Sequence, residues 1–323
     1  MKILFLRFSS IGDVVITSTI VRCVRNKYPE AELGFATKKT FSSLVKHNPN
    51  LNRIHELGND FESFAKEIKL EQYTHVIDLH KNLRTKRLRA HMPKSHWFSF
   101  DKLNWQKWLL VYLKINKLPK KHITTRYFEG ISSLGVTYDE QGMDFFFPEE
   151  YKPDISVQLP AKYTVFAIGG TYFTKRLPID KIKEFILKSE EQIVLIGGAD
   201  DLERSKDIDS PNLLNLCGQL SLLESAYLVK NSEKVMAHDS GFMHIAAALN
   251  KPLLSIWGNT VPDLGFYPLL KKESAPAVLL EKQAGLKCRP CSKLGYDKCP
   301  KGHFKCMDYS SEEIIKSLNA LSE

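Results

Sequence analysis

Short apolar runs alternate with longer amphipathic stretches along this chain of 323 residues, and the alternation restarts once. Ile3–Phe8, Glu32–Ala36, Arg53–Leu57 and Tyr73–Leu79 read as strands, with helices over Asp13–Asn26 and Phe61–Lys69. Pro148–Ala161, rich in proline and acids, reads as a linker. Beyond it come strands at Tyr163–Ile168, Gln192–Ile196, Lys234–Ala237 and Leu253–Trp257. Helices are predicted over Ile179–Lys188, Leu222–Lys230, Phe242–Leu249 and Ser311–Leu321. Such alternation predicts an α/β fold with parallel sheets. The expected division is a first domain over 1–153, a second over 154–308 with a cysteine-rich segment at 286–306, and a closing helical segment over 309–323. Two α/β domains in tandem predict a ligand in the cleft between them, at the carboxyl ends of the strands.

Hydrophobic residues at 43% are enough for two ordinary cores, and charged residues at 26% argue against disorder. No run approaches the roughly 20 apolar residues of a membrane span. The opening run Ile3–Leu6 is stopped by Arg7, which disfavours a signal peptide and predicts a cytoplasmic protein. The net charge of +9 favours anionic partners: nucleic acid, an anionic membrane or a phosphorylated substrate. No nucleic-acid motif or aromatic-basic platform is present, so nucleic acid is not an expected partner.

Three loops carry candidate chemistry. Ser9-Ser10-Ile11-Gly12-Asp13 joins the first strand to the first helix and lacks the glycine fingerprint of a dinucleotide site. Asp13 can cap the helix, or present a carboxylate to a ligand as a general base. The second loop, Gly169–Pro178, follows the first strand after the linker. Its glycines, hydroxyls and Lys175 suit a diphosphate, with a surface lysine on a polar loop as the plainer alternative. In the third, His238-Asp239-Ser240-Gly241 leads into an alanine-rich helix. His244 lies one turn on, on the same face as Ser240 and Gly241, either as a structural histidine or in support of an anion site.

These segments, in this order and spacing, resemble glycosyltransferase family 9, the ADP-heptose:lipopolysaccharide heptosyltransferases. The resemblance rests on Arg7–Asp13, Val76–Leu79, Thr171 with Lys175–Pro178, and Asp239–Leu249, and it covers nearly the whole chain. It implies the GT-B fold, two facing Rossmann-like domains, with a terminal helix that returns to the first. It implies an inverting transferase that needs no metal cofactor. By position, Asp13 would be the general base, with Ser10 and Gly12 on the acceptor side. Thr171 and Lys175 would hold the donor diphosphate, Asp239 would meet the donor sugar, and Ser240, Gly241 and His244 would complete that site. A donor-site acid falls among Asp200, Asp201 and Glu203. The implied partners are ADP-heptose, an anionic lipid A-core acceptor and the cytoplasmic face of the inner membrane. Position 240 is Ser where the family more often has Thr, and the loop at 170–174 is unusually aromatic, which bears on the donor sugar. Alternatives are a GT-B transferase for another nucleotide sugar and a non-catalytic homologue that binds one.

Two further features stand apart. The basic run His80–Arg89 sits where an acceptor would bind, and Arg84 is the candidate contact with its carboxylates or phosphates. Trp97, Trp105, Trp108 and Tyr112 would either form a membrane-facing apolar surface or join the core. Of the six cysteines, Cys23 and Cys217 lie in apolar patterns and read as core. Cys288, Cys291, Cys299 and Cys306 form either a structural zinc site, with His303 as a stand-in ligand, or a loop of reduced thiols.

Overall fold

The computed structural model describes residues 1–282 and 286–322. Residues 283–285, inside the expected second domain, and Glu323, the end of the expected closing segment, lie outside the described residues. The chain forms two compact units, Met1–Lys102 with Lys121–Tyr151 and Leu269–Lys272, and Leu103–Lys120 with Lys152–Pro268 and Glu273–Glu323. Where one crossing near residue 153 was expected, the chain also crosses at Leu103–Lys120 and at Leu269–Lys272.

In the first unit β1 (Lys2–Leu6), β2 (Glu32–Lys38), β3 (Arg53–Leu57), β4 (His75–Asp78) and β5 (His96–Ser99) form a parallel sheet in the order β3-β2-β1-β4-β5. Ile3, Leu4, Phe5 and Leu6 are fully buried, as a central parallel strand covered on both faces requires. Leu6 pairs with Ala36 on one side and Asp78 on the other. The chain therefore leaves β1 where the strand order reverses, the place at which open α/β sheets bind ligands.

The helix expected over Asp13–Asn26 is two helices, α1 (Ile11–Ile16) and α2 (Ser18–Lys27). Between them the Thr17 amide and hydroxyl both donate to the Val14 carbonyl, at 3.1 and 2.6 Å, and tighten the turn. α3 (Phe61–Leu70) and α4 (Leu83–His91) follow. The chain then leaves for α5 (Asn104–Trp108), which belongs to the second unit, and returns in α6 (Ile123–Gly130).

The second unit repeats the plan. β6 (Thr164–Ala167), β7 (Ile193–Ile196), β8 (Leu213–Asn215), β9 (Lys234–His238), β10 (Leu253–Trp257) and β11 (Ala277–Glu281) run parallel in the order β11-β10-β9-β6-β7-β8. The order reverses between β6 and β9, the two strands that feed the second and third loops. α7 (Ile179–Lys188), α8 (Ala199–Ser205), α9 (Leu222–Asn231), α10 (Gly241–Ala248) and α11 (Ser311–Asn319) complete it. Ala246, Ala247 and Ala248 are buried, so α10 packs closely.

The terminal helix α11, expected to return to the first domain, packs within the second unit. Ile314 and Leu318 join Phe185 and Ile186 of α7 in its core. Ser311 donates to Glu184 at 3.0 Å, and Lys188 and Lys282 pair with Glu312 and Glu313 at 2.8 and 2.5 Å.

The strands that sequence reading missed, β5, β8 and β11, all lie at sheet edges. An edge strand has one neighbour and is incompletely covered, so its signal is weak: β8 is only three residues long, and β11, Ala-Val-Leu-Leu-Glu, is apolar but has no buried residue. β5 reads His-Trp-Phe-Ser and none of it is buried.

Candidate functional site

At the end of β1, Arg7 gathers the turn that carries Asp13. Its guanidinium donates to the carbonyls of Ser9, at 2.8 Å, and Leu79, and it meets Asp13 Oδ1 at 2.5 Å. Asp13 Oδ2 accepts from the Ser10 amide at 3.1 Å and the Ser10 hydroxyl at 2.7 Å. Asp13 thus closes the first turn of α1 from its third position, which is the capping role, while its carboxylate keeps 19% exposure. Burial opposes its ionisation, but the Arg7 charge and the Ser10 donors outweigh burial and hold the carboxyl below its ordinary range. Ser10 and Gly12 lie on the same turn.

Around this carboxylate the first unit places Tyr127, Asp78 and Lys102, to which sequence reading gave no role, together with the expected Arg84. The buried Tyr127 hydroxyl lies within electrostatic reach of Arg7 and Asp13, and burial pushes it up to about 12. Asp78, at the end of β4, accepts from the His80 and Lys81 amides at 3.0 and 2.7 Å. Burial, then the charges of Arg7 and Lys102, push the His80 imidazole down to about 4, and Arg84 acts in the same direction. Arg84 is exposed on the first turn of α4, so this end of the sheet carries Arg7, Arg84 and Lys102 around a neutral histidine.

In the second unit Lys175 and Asp239 meet at the reversal between β6 and β9. Lys175 Nζ lies 2.7 Å from Asp239 Oδ2 and 3.3 Å from the Asp239 carbonyl oxygen. The Thr260 hydroxyl donates to the same Oδ2 at 2.6 Å. Asp239, expected at the donor sugar, therefore already spends one oxygen on the lysine and the threonine. Ser240 and Gly241 open α10, and the buried Ser240 hydroxyl has no partner among the described residues. His244 is buried on that helix, at 4% exposure, and Thr171 stands exposed on its loop. His238 accepts from the Leu177 amide at 3.0 Å, and burial pushes it down to about 3, so it is neutral.

Of the three candidate acids, Asp200 and Glu203 are exposed and Asp201 is buried. Asp201 accepts from the Gly198 amide at 3.0 Å and pairs with Arg204 at 2.8 Å. Its Oδ2 would stand 2.9 Å from a Cβ at Gly169, so that glycine is needed where the loop passes over the acid.

The loop bearing Lys175 is held from behind by the cysteine-rich segment. The Thr174 amide donates to the Tyr296 carbonyl at 3.1 Å, and the Tyr296 amide returns a bond to the Thr174 hydroxyl at 2.9 Å. Arg289 donates to the carbonyls of Gly258 and Thr260 at 2.6 and 2.7 Å and pairs with Glu281 at 2.8 Å. Thr260 and Arg289 were invisible in the sequence, because both act through contacts far along the chain.

All six cysteines are free thiols, and Cys23 and Cys217 are buried in the cores as expected. Cys288, Cys291, Cys299 and Cys306 line one cavity of about 10 Å³ together with His303, room for about one water or ion. Among the described residues no three His, Cys, Asp or Glu side chains are arranged to hold a metal ion. The four tryptophan and tyrosine side chains considered for a surface separate. Trp97 is half-buried on β5 under Arg89, whereas Trp105, Trp108 and Tyr112 are exposed. No helix among the described residues is long and apolar enough to cross a membrane.

The family model of glycosyltransferase family 9 (heptosyltransferase) matches residues 61–294. Lipopolysaccharide heptosyltransferase 2 of Escherichia coli K12 is 30% identical over 143 residues, 40% of this chain and 37% of that protein. Lipooligosaccharide heptosyltransferase 2 of Haemophilus ducreyi is 23% identical over 99% of both chains. Among solved structures, E. coli ADP-heptose lps heptosyltransferase II superposes with a TM-score of 0.75 at 20% identity, over 99% of this chain and 98% of that one. E. coli heptosyltransferase WaaC gives 0.72 at 19% identity, over 99% of this chain and all of the other. The two parallel sheets and these likenesses give the GT-B fold that the sequence led us to expect.

Proposed function

The chain belongs to glycosyltransferase family 9, the heptosyltransferases, and from that premise we propose that it transfers heptose from ADP-heptose to the inner core of a lipopolysaccharide. The reaction inverts the anomeric carbon and uses no catalytic metal. Asp13 takes the proton of the acceptor hydroxyl as that oxygen attacks the anomeric carbon, and ADP leaves from the opposite face. Lys175 and the amides that open α10 neutralise the departing diphosphate, the task a divalent cation performs in other transferases. Asp239 holds the Lys175 ammonium in place before the donor arrives and meets the sugar once it is bound. Thr171, Ser240, Gly241 and His244 complete the donor site. Ser10, Gly12 and Arg84 serve the acceptor, whose anionic groups suit the positive end of the first sheet. The acceptor's place at the cytoplasmic face of the inner membrane puts the enzyme there.

The observation that carries this reading is the Lys175–Asp239 pair, a cation held 2.7 Å from its partner at the head of a buried helix. E. coli WaaC has been solved with ADP and with ADP-2-deoxy-2-fluoro heptose, which supports an adenine nucleotide donor. Calorimetric titration with ADP, UDP, GDP and CMP, with and without EDTA, tests the proposal. Selective binding of ADP that EDTA does not alter is expected, weakened on the order of tenfold or more by Lys175→Ala. Preference for another nucleotide overturns the heptose assignment and keeps the transferase. No binding at all removes the catalytic reading.

A further inference from the structure

Exposed apolar side chains are normal singly and informative when they gather. In the second unit they gather beside α5 and the cysteine-rich segment. Trp105, Trp108, Tyr112, Leu113 and Ile115 are 65, 42, 63, 52 and 45% exposed, and Leu294 and Tyr296 on the cysteine-rich segment are 52 and 38% exposed. Trp105 stacks on Trp108 with ring centroids 5.1 Å apart, and Trp108 lies 5.6 Å from Tyr112, so the three rings form a continuous row. The two segments are tied together. Lys114 Nζ donates to the carbonyls of Pro290 at 2.6 Å and Cys288 at 3.3 Å.

Between them runs a groove of about 750 Å³. Tyr112 and Tyr296 line it with Lys287, Lys301 and Lys305, three exposed lysines with no ion pair among the described residues, and no carboxylate is among its described lining residues. The surrounding sequence has the same bias. Residues 103–120 include four lysines and no acid, and residues 286–306 include five lysines and Arg289 against Asp297.

Amphipathic aromatic rings in a row, bordered by exposed lysines, match the chemistry of a bilayer surface. Tryptophan and tyrosine settle at the headgroup level, and lysines meet anionic phosphates. We propose that this face, α5 with the turn that follows it and the cysteine-rich segment, docks on the anionic headgroup layer of a membrane. The rings enter the interface, and the groove takes lipid phosphate. The inference deepens the proposed function by naming the surface that brings the enzyme to a membrane-borne acceptor.

Flotation of the full chain with vesicles of phosphatidylcholine, alone or with phosphatidylglycerol, tests it without acceptor or donor. Binding to the anionic vesicles only, lost in high salt, is expected, with a blue shift in tryptophan emission. Lys287→Ala, Lys301→Ala and Lys305→Ala should each weaken it roughly fivefold. Trp105→Ser with Trp108→Ser should remove the blue shift and weaken binding at least tenfold. All these side chains are exposed, and unchanged ADP affinity in each variant, relative to the parent, reports an intact second unit. Absence of vesicle binding by the parent chain, equal binding to neutral vesicles, or variants that bind like the parent would overturn the proposal. Self-association through the aromatic row, seen as a dimer that the Trp variants abolish without any change in vesicle binding, would also overturn it. Because no lipopolysaccharide is present, failure here leaves the transfer reaction untouched, and failure of ADP binding in the parent leaves the docking surface untouched.

Discussion

As the proposed general base, Asp13 must be an anion, and its surroundings keep it one. Burial alone would favour the neutral acid. Arg7 at 2.5 Å and two Ser10 donors reverse that preference. The acid limb of kcat/KM assigned to this group should therefore fall below the ordinary aspartate range, near pH 4. Asp13→Asn keeps the size of the side chain and removes the base. Turnover should drop by roughly two to four orders of magnitude while ADP affinity stays within about twofold of the parent. Turnover like the parent's would take Asp13 out of the mechanism. Asp13 was legible because it sits in a strand-turn-helix signature. Its partner Arg7 stood in the same signature without a role, because a guanidinium that bridges β1 to Leu79 can be seen only when β4 lies beside β1.

Elements, rather than single groups, set the height of the loop that carries Lys175. The turn after β10 passes directly beneath it. A Cβ at Gly258 would stand 2.5 Å from the Thr174 carbonyl oxygen and 2.6 Å from Met307 Cε. The first of these is backbone and cannot rotate away. Gly258→Ala must lift the loop or the turn, at a cost of about 1–3 kcal/mol. Reduced ADP affinity is expected from this change, although it removes no charge and no hydrogen-bonding group. Calorimetry that finds affinity unaltered would show that the loop does not depend on the turn. The cysteine-rich segment acts at the same scale, since Tyr296 and Arg289 brace the loop and the turn from the other side.

For the molecule as a whole, histidines whose protonation is opposed by burial make stability depend on pH. His238 is pushed down to about 3 and His80 to about 4, and His55 and His75 are lowered too, burial being the largest cause in each. An unfolded histidine titrates near 6.5. Below that pH the unfolded chain binds protons that the folded chain refuses, so stability rises with pH through this window. Acidification from pH 7 should therefore lower the melting temperature progressively, down to about pH 3. The lowered carboxyl of Asp13 acts in the same direction, because its contribution is lost as pH falls through its own folded value. Differential scanning calorimetry between pH 7.5 and 4.5 checks this, and a flat profile would mean that these rings are accessible to protons in the folded protein.

The sequence by itself determined what is local in this protein. The central strands showed as continuous apolar runs because both their faces are covered. The loops of Asp13, Lys175 and Asp239 showed because each joins a strand end to a helix start within a few residues. Only the tertiary structure decided the rest. It placed edge strands β5, β8 and β11, which are short and only partly covered, and assigned Leu103–Lys120 to the second unit. It kept α11 on α7. It also paired Lys175 with Asp239 and Thr260, and set Thr174 against Tyr296 across the fold. Each of these contacts joins residues distant in sequence, and periodicity carries no record of which element will come to lie beside which.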